Sequence, residues 1–334
     1  MSRSISGTLV AIGVLVALVF ALPGARAETG KVSIIFAGDV MLDDGPGQTI
    51  ASGGDPLAPF SALLSRADYR IGNLECSIAG PSSGKPLDNK IYSFRAAPAT
   101  TRVLQGRFDA MGVANNHSGD YGPDAFMETL QHVNDAGIAT FGGGRNAEQA
   151  HAPHWIVRNG LRIAVLAYSE FKPRSFEAGA NHPGVAWSED TQVVADIRAA
   201  RKAGADVVIP FMHWGWEREG QPDARQRQLA RTMIDAGADV VVGGHPHVTQ
   251  GSEYYKGKLI VYSLGNFVFD GFELAEAKVG WLLKLTLDNK GMVQWSTRIA
   301  RMDAAGTPYP DAGAYSPCGK KGDKKTGVCI NGDW

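Results

Sequence analysis

Apolar positions along the chain fall into short β-rich runs separated by segments of helical spacing. Residues 31–37 (KVSIIFA) make a strand pattern that stops at Gly38-Asp39. Residues 69–72 run into Asn73-Leu74-Glu75, and residues 108–113 run into Ala114-Asn115-Asn116-His117. Helical periodicity covers 123–136, with proline at its start and Gly137 past its end, and a strand follows over 138–141. The runs 155–158 and 161–168 flank Asn159-Gly160, a strong hairpin signal. The pattern then alternates through helix 190–203, strand 206–211, helix 222–236 and the strands 239–242 and 259–264. A last hairpin joins 280–287 to 292–300 around Asp288-Asn289-Lys290-Gly291. Alternation in the middle and hairpins at the end predict an α/β architecture with mixed sheets.

The two ends of the chain read differently. Arg3 precedes an apolar run over 8–22, and Pro23-Gly24-Ala25-Arg26-Ala27 ends in small residues. That pattern is a signal peptide, residues 1–27, cut after Ala27. The run is short for a membrane span, so an uncleaved, membrane-associating signal is the lesser alternative. The expected product is exported, either periplasmic or secreted, with its main domain over 28–305. Residues 306–334 are rich in Gly, Lys and Pro and read as a loosely attached tail. In an oxidising compartment a Cys318–Cys329 disulfide would staple that tail, leaving Cys76 as a buried thiol. A net charge of −1 offers no bulk attraction to nucleic acid, which is excluded as a partner on that ground.

The candidate chemistry sits where the strands end. Asp39, Glu75, Asn116 with His117, His213, and His245 with His247 each follow an apolar strand. Sites of α/β sheets form beyond the carboxyl ends of strands. Taken singly, Asp39 could be a turn or cap residue, Asn116 part of a turn pair, and His213 a core histidine. GGHPHV, residues 243–248, is harder to explain by structure alone. In extended backbone, which Pro246 favours at His245, residues 245 and 247 face the same way. Carboxylate, amide and imidazole without thiolate suit manganese, iron or zinc. His132, His151, His154 and His182 lie outside this pattern.

The segment ANNHSGDYGPDAFMETLQHVNDAGIATFGGGRNAEQA resembles the signature of CapA-like proteins, the capsule or poly-γ-glutamate synthesis group. FAGDVML, GNLECSI, HWGWE, GGHPHV and YSLGNF match its other blocks in order, across residues 32–270. The group is similar to calcineurin-like metallophosphoesterases. The resemblance therefore implies a four-layer α/β/β/α sandwich with one or two divalent metal ions. It makes Asp39 the first aspartate, Glu75 the bridging carboxylate, and Asn116, His213 and His245 ligands of one metal. His247 would serve the other metal, and His117 would be the general acid, oriented by Asp120.

Two departures matter. Met41 stands where the phosphoesterases carry a histidine, and Glu75 stands for an aspartate. A one-metal site on Asn116, His213, His245 and Glu75 is therefore open beside the two-metal one, as is help from Asp43 or Asp44. Lys90, Arg95 and Arg145 are the cations available to an anionic substrate. The resemblance implies a metal-dependent hydrolase of a phosphoester or amide in an anionic polymer, working with capsule-synthesis membrane machinery. The alternatives are a non-catalytic polymer-binding or export component with the same fold, and a nucleotidase-like phosphoesterase.

Overall fold

The computed structural model describes Met1 and residues 30–88, 90–171 and 174–330. Apart from Met1, the expected signal peptide lies outside the described residues.

The strand Val32–Val40 carries nine residues, nearly all buried, and sits inside a ten-stranded sheet. It pairs in parallel with Tyr69–Leu74, and parallel pairing continues through Ala110–Gly112 to Ala139–Phe141. Its other edge is antiparallel to Val279–Asp288, which pairs with Gly291–Met302. A second sheet of six strands runs in the order Thr249–Tyr255, Lys258–Leu264, Val240–Gly244, Val207–His213, Leu161–Ser169, His154–Arg158. Its central four strands are parallel.

Side-chain alternation explains how the layers stack. Along Val207–His213, Val207, Ile209 and Phe211 face the first sheet, and the Phe211 ring meets Phe36 edge-on at 5.5 Å. Val208 and Met212 face the other way, onto Val193 and Ile197 of helix Asp190–Lys202 and Leu229 and Met233 of helix Ala224–Ala236. Helix Gly122–Asp135 covers the first sheet with Phe126, Leu130 and Val133. Each fully buried side chain of this kind contributes about 1.5–3 kcal/mol. Helices flank two face-to-face sheets, so the protein is a four-layer α/β/β/α sandwich.

The predicted helices match to within two residues at each end. Helix Ala224–Ala236 is set by a capping box, in which Asp223 accepts from the Gln226 amide, and by Gly237 at φ 120° beyond its end. The strand Thr249–Tyr255 escapes the apolar pattern because Gln250-Gly251-Ser252 is polar. It is an edge strand, closed onto Lys258–Leu264 by Lys256 and Gly257, both at positive φ.

The loosely attached tail is a correction. Pro308–Pro310 and Tyr315–Lys320 pair with Gly291–Met302, and Gly327–Ile330 pairs with Tyr315–Lys320, extending the first sheet. Ser316 and Cys318 alternate inward and are buried, and the Cys318–Cys329 disulfide bridges the two outer strands. Two inward residues and a ladder of backbone hydrogen bonds outweigh the Gly- and Lys-rich composition.

Candidate metal centre

Both sheets aim the carboxyl ends of parallel strands at one place. Asp39 lies near the end of its strand, in register with Asn73, and Glu75 follows directly after Leu74. The turn after Ala110–Gly112 brings Asn115, Asn116 and His117. From the second sheet, His213 ends its strand in register with Gly244, and His245 comes next. The glycines before it are steric. A β-carbon at Gly243 would lie 2.2 Å from the Tyr262 carbonyl oxygen, so only glycine lets the strands pack here.

The backbone at GGHPHV is not extended, which corrects the same-face argument. His245 has φ 91° and His247 φ 58°, and the chain turns at Pro246, whose carbonyl accepts the Arg218 amide at 2.8 Å. Positive φ is costly for histidine, of order 1–3 kcal/mol per residue, and persists only where surroundings enforce it. The rings still converge, with centroids 5.9 Å apart. The turn brings them together, not strand alternation.

His213 Nε2 lies 2.6 Å from Asn116 Oδ1, 3.0 Å from His245 Nδ1 and 3.5 Å from Glu75 Oε1. Glu75 Oε1 is also 3.7 Å from His247 Nε2, and Asp39 Oδ2 is 3.6 Å from His247 Nδ1. Glu75 belongs to two sets of metal-capable groups, one with His245 and His247 and one with Asp39 and His213. All five of these side chains are buried. Burial holds the Glu75 carboxyl well above the usual carboxylate range, helped by the Asp39 charge beside it. Burial likewise raises Asp39, against the opposing pull of His247. His213 and His245 are pushed well below the ordinary histidine range by burial and by the neighbouring imidazoles. Glu75 Oε1 and His245 Nε2 are buried and accept no hydrogen bond.

His117 stands beside this cluster. Its Nδ1 is 2.8 Å from Asp120 Oδ2, and the Phe94 amide donates to that same oxygen at 2.8 Å. Burial lowers the His117 pKa, and the Asp120 hydrogen bond opposes it. The Lys90 ammonium donates to Asp120 Oδ1 and to the Asn116 carbonyl. Lys90 and Asn116 line a cavity of about 470 Å³. Arg95 and Arg145 are not among its lining residues. Arg95 stacks over Tyr121 at 4.4 Å, and its amide donates to Asp43. Arg145 is exposed, its amide bonded to Gln149.

Some expected helpers lie elsewhere. Neither Asp43 nor Asp44 is among the grouped metal-capable residues. Met41 is fully buried, and its sulfur accepts the Asp43 amide at 3.1 Å. Conversely, three asparagines matter that the sequence reading gave no role. Asn73 Nδ2 donates to Asp39 Oδ1 at 2.8 Å, and Asn115 Nδ2 donates to Asn73 Oδ1 at 2.9 Å. Asn266 Oδ1 accepts from His247 Nδ1 at 2.8 Å, which leaves His247 Nε2 with its lone pair towards Glu75. The available signal was position: Asn73 lies two residues before Glu75, and Asn266 follows the Leu259-Ile260-Val261 strand.

Residues 33–271 match the family model "Bacterial capsule synthesis protein PGA_cap". The chain is 35% identical over 274 residues to the PGA biosynthesis protein CapA of Bacillus subtilis (strain 168), covering 78% of this chain and 72% of that one. It is 31% identical over 259 residues to the capsule biosynthesis protein CapA of Bacillus anthracis, covering 74% of this chain and 62% of that one. Among solved structures, a hypothetical protein from Thermus thermophilus aligns with TM-score 0.51 and 15% identity, covering 80% of this chain and 98% of that one. That likeness bears on the fold alone.

Proposed function

This chain belongs to the PGA_cap family of bacterial capsule synthesis proteins, and we propose that it serves capsule and PGA biosynthesis as an exported, metal-dependent hydrolase. The bond cleaved is a phosphoester or an amide in an anionic polymer, handled beside the membrane machinery that makes it.

The carrying observation is the pair of orphaned atoms, Glu75 Oε1 and His245 Nε2, inside a buried nest of donors. Among the described residues, no lysine or arginine contacts the two buried carboxylates that lie there. Such charge is costly unless a cation or a proton answers it. A divalent ion fits, with Asn116, His213, His245 and Glu75 to hold it. Room for a second ion is leaner, because Glu75 is shared between the set with His245 and His247 and the set with Asp39 and His213, and Met41 brings no hard donor. Manganese, iron or zinc suits these ligands, and when bound supplies Lewis acidity and lowers the pKa of water.

The chain's own groups do the rest. Asp120 fixes His117 through Nδ1, which leaves Nε2 to carry a proton to the leaving group. Asn73 and Asn115 hold the Asp39 carboxylate in place. Asn266 fixes the His247 ring.

Elemental analysis of the purified protein tests the reading directly. One or two equivalents of metal, lost together with turnover in His245→Ala, support it. Metal-free protein with no turnover on phosphoesters or polyglutamate overturns it. The buried Met41 favours the non-catalytic alternative, in which His117→Ala still supports polymer formation in cells.

A further inference from the structure

The outermost ribbon of the first sheet carries apolar side chains on a face turned to solvent. Tyr315 is in register with Ile330, and Pro317 with Val328, so the four share one face of the ribbon. Tyr315 is 66% exposed, Val328 67% and Ile330 51%. Ser316 and Cys318 alternate to the other face, where they are buried. The Cys318–Cys329 disulfide ties the two strands together, so the apolar face is held as a surface.

The tip of the same ribbon is basic. Lys320, Lys321, Lys324 and Lys325 fall within six residues, and the acids from Tyr315 onward are Asp323 and Asp333. Asp323 Oδ2 accepts the Lys320 backbone amide at 2.8 Å. Lys321 donates from its backbone to the Val293 carbonyl and from Nζ to the Lys290 carbonyl at 3.1 Å. Those bonds lay the turn at 288–291 alongside the tip and add Lys290 to the cluster. All five lysines are exposed. The whole chain has a net charge of −1, so this positive end is a local feature.

The position of the tip limits what it can serve. Val32 pairs with Leu287, so the turn at 288–291 lies past the start of the strand that carries Asp39 towards its other end. The seven extended steps from Val32 to Asp39 span roughly 20 Å. The basic tip therefore occupies the opposite pole from the metal centre. A polymer of carboxylates would use the lysines and leave the apolar face in water. A second copy would find three exposed side chains, far short of the roughly 800 Å² per partner that a stable dimer buries. An anionic lipid surface uses both features. The ammonium groups meet headgroup phosphates, and Tyr315, Val328 and Ile330 enter the boundary between headgroups and chains.

We propose that this ribbon is a peripheral docking surface for anionic phospholipid, and that it holds the metal centre on the side away from the bilayer. The assignment is independent of the hydrolase reading, and neither falls with the other.

Vesicle co-sedimentation tests it, with the chain lacking residues 1–27, whose apolar run over 8–22 would bind lipid by itself. Vesicles of phosphatidylcholine and phosphatidylglycerol in equal parts are expected to bind at least about tenfold tighter than phosphatidylcholine alone, with the preference shrinking as salt rises. The combined variant Lys320→Gln, Lys321→Gln, Lys324→Gln, Lys325→Gln should lose about fivefold per lysine. Val328→Ser with Ile330→Ser should weaken binding to the anionic vesicles and keep its salt dependence. All six positions are exposed, so the variants should melt with wild type. Equal binding to the two kinds of vesicle, or anionic binding that neither variant weakens, overturns the assignment. A dimer that Val328→Ser with Ile330→Ser dissolves would make a second copy the occupant and overturn it. Binding that appears only when the chain ends at Ile330 would make residues 331–334 the occupant, with the same consequence. Poly-γ-glutamate held by wild type and lost by the lysine variant, without vesicle binding, would give the tip to the polymer instead.

Discussion

Gly244 and Asp39 meet across the two sheets: a β-carbon on residue 244 would lie 2.9 Å from Asp39 Oδ1. The metal-capable cluster exists because a strand of each sheet can approach this closely. Gly244→Ala is therefore expected to displace the Asp39 carboxylate rather than unfold the protein. Overpacking of this kind costs about 1–3 kcal/mol. Thermal denaturation should show that loss, and elemental analysis should show less bound metal than wild type. Unchanged metal content in a stable variant would mean that Asp39 is not a ligand.

Glu75→Gln should change sign with metal. Burial and the Asp39 charge make the Glu75 carboxylate costly in the apo protein. A neutral amide of similar size removes that cost, so the chelated variant should melt above chelated wild type. With metal the order should invert, because ligand binding stabilises the native state by about 2.7 kcal/mol at a hundredfold excess over the dissociation constant. Melting curves of both proteins, with and without chelator, decide it. A variant less stable in both conditions would show that Glu75 is structural.

Asn73→Leu removes the donor to Asp39 and leaves the buried Asn115 Nδ2 without one of its acceptors. Losing one partner of a buried hydrogen bond costs about 1–3 kcal/mol. Partners that orient ligands also carry about 10–100-fold in metal affinity. Metal titration should show weakened binding, and the Asn73→Leu, Asn115→Leu double variant should lose less than the sum of the two. Strict additivity would mean that the two amides act independently.

Asn73 also marks the limit of what the sequence disclosed. Asp39, Glu75, His213 and the His245/His247 pair were legible because strand ends and side-chain types are local features. Asn73 and Asn266 act through partners distant in sequence, and nothing local separates a strand asparagine that orients a ligand from one that faces solvent. The GGHPHV turn failed for another reason: proline biases its neighbour toward extended backbone, but His245 and His247 both take positive φ, directly after two glycines packed tightly against Tyr262 and Asp39. The three long helices were read well because proline and glycine punctuate them, whereas the short helix Asp44–Ala51 was not read. The C-terminal strands were missed because an edge ladder needs few apolar residues.

His154 should impose an acid-side stability loss unrelated to metal. Its Nε2 is 2.7 Å from Tyr69 Oη, and its ring stacks on Phe141 at 5.4 Å. Burial holds its pKa below the ordinary 6.5, against the weaker pull of Asp109. The unfolded chain thus takes up this proton at higher pH than the folded one. The contribution is full above about pH 6.5 and is lost as pH falls towards the depressed folded value, by at most about 1.4 kcal/mol per pH unit. Gln at 154 can still accept from the Tyr69 hydroxyl but does not titrate. Urea denaturation of chelated wild type and His154→Gln at pH 5, 6 and 7 should show wild type losing more stability on acidification. Parallel losses would place that proton uptake elsewhere.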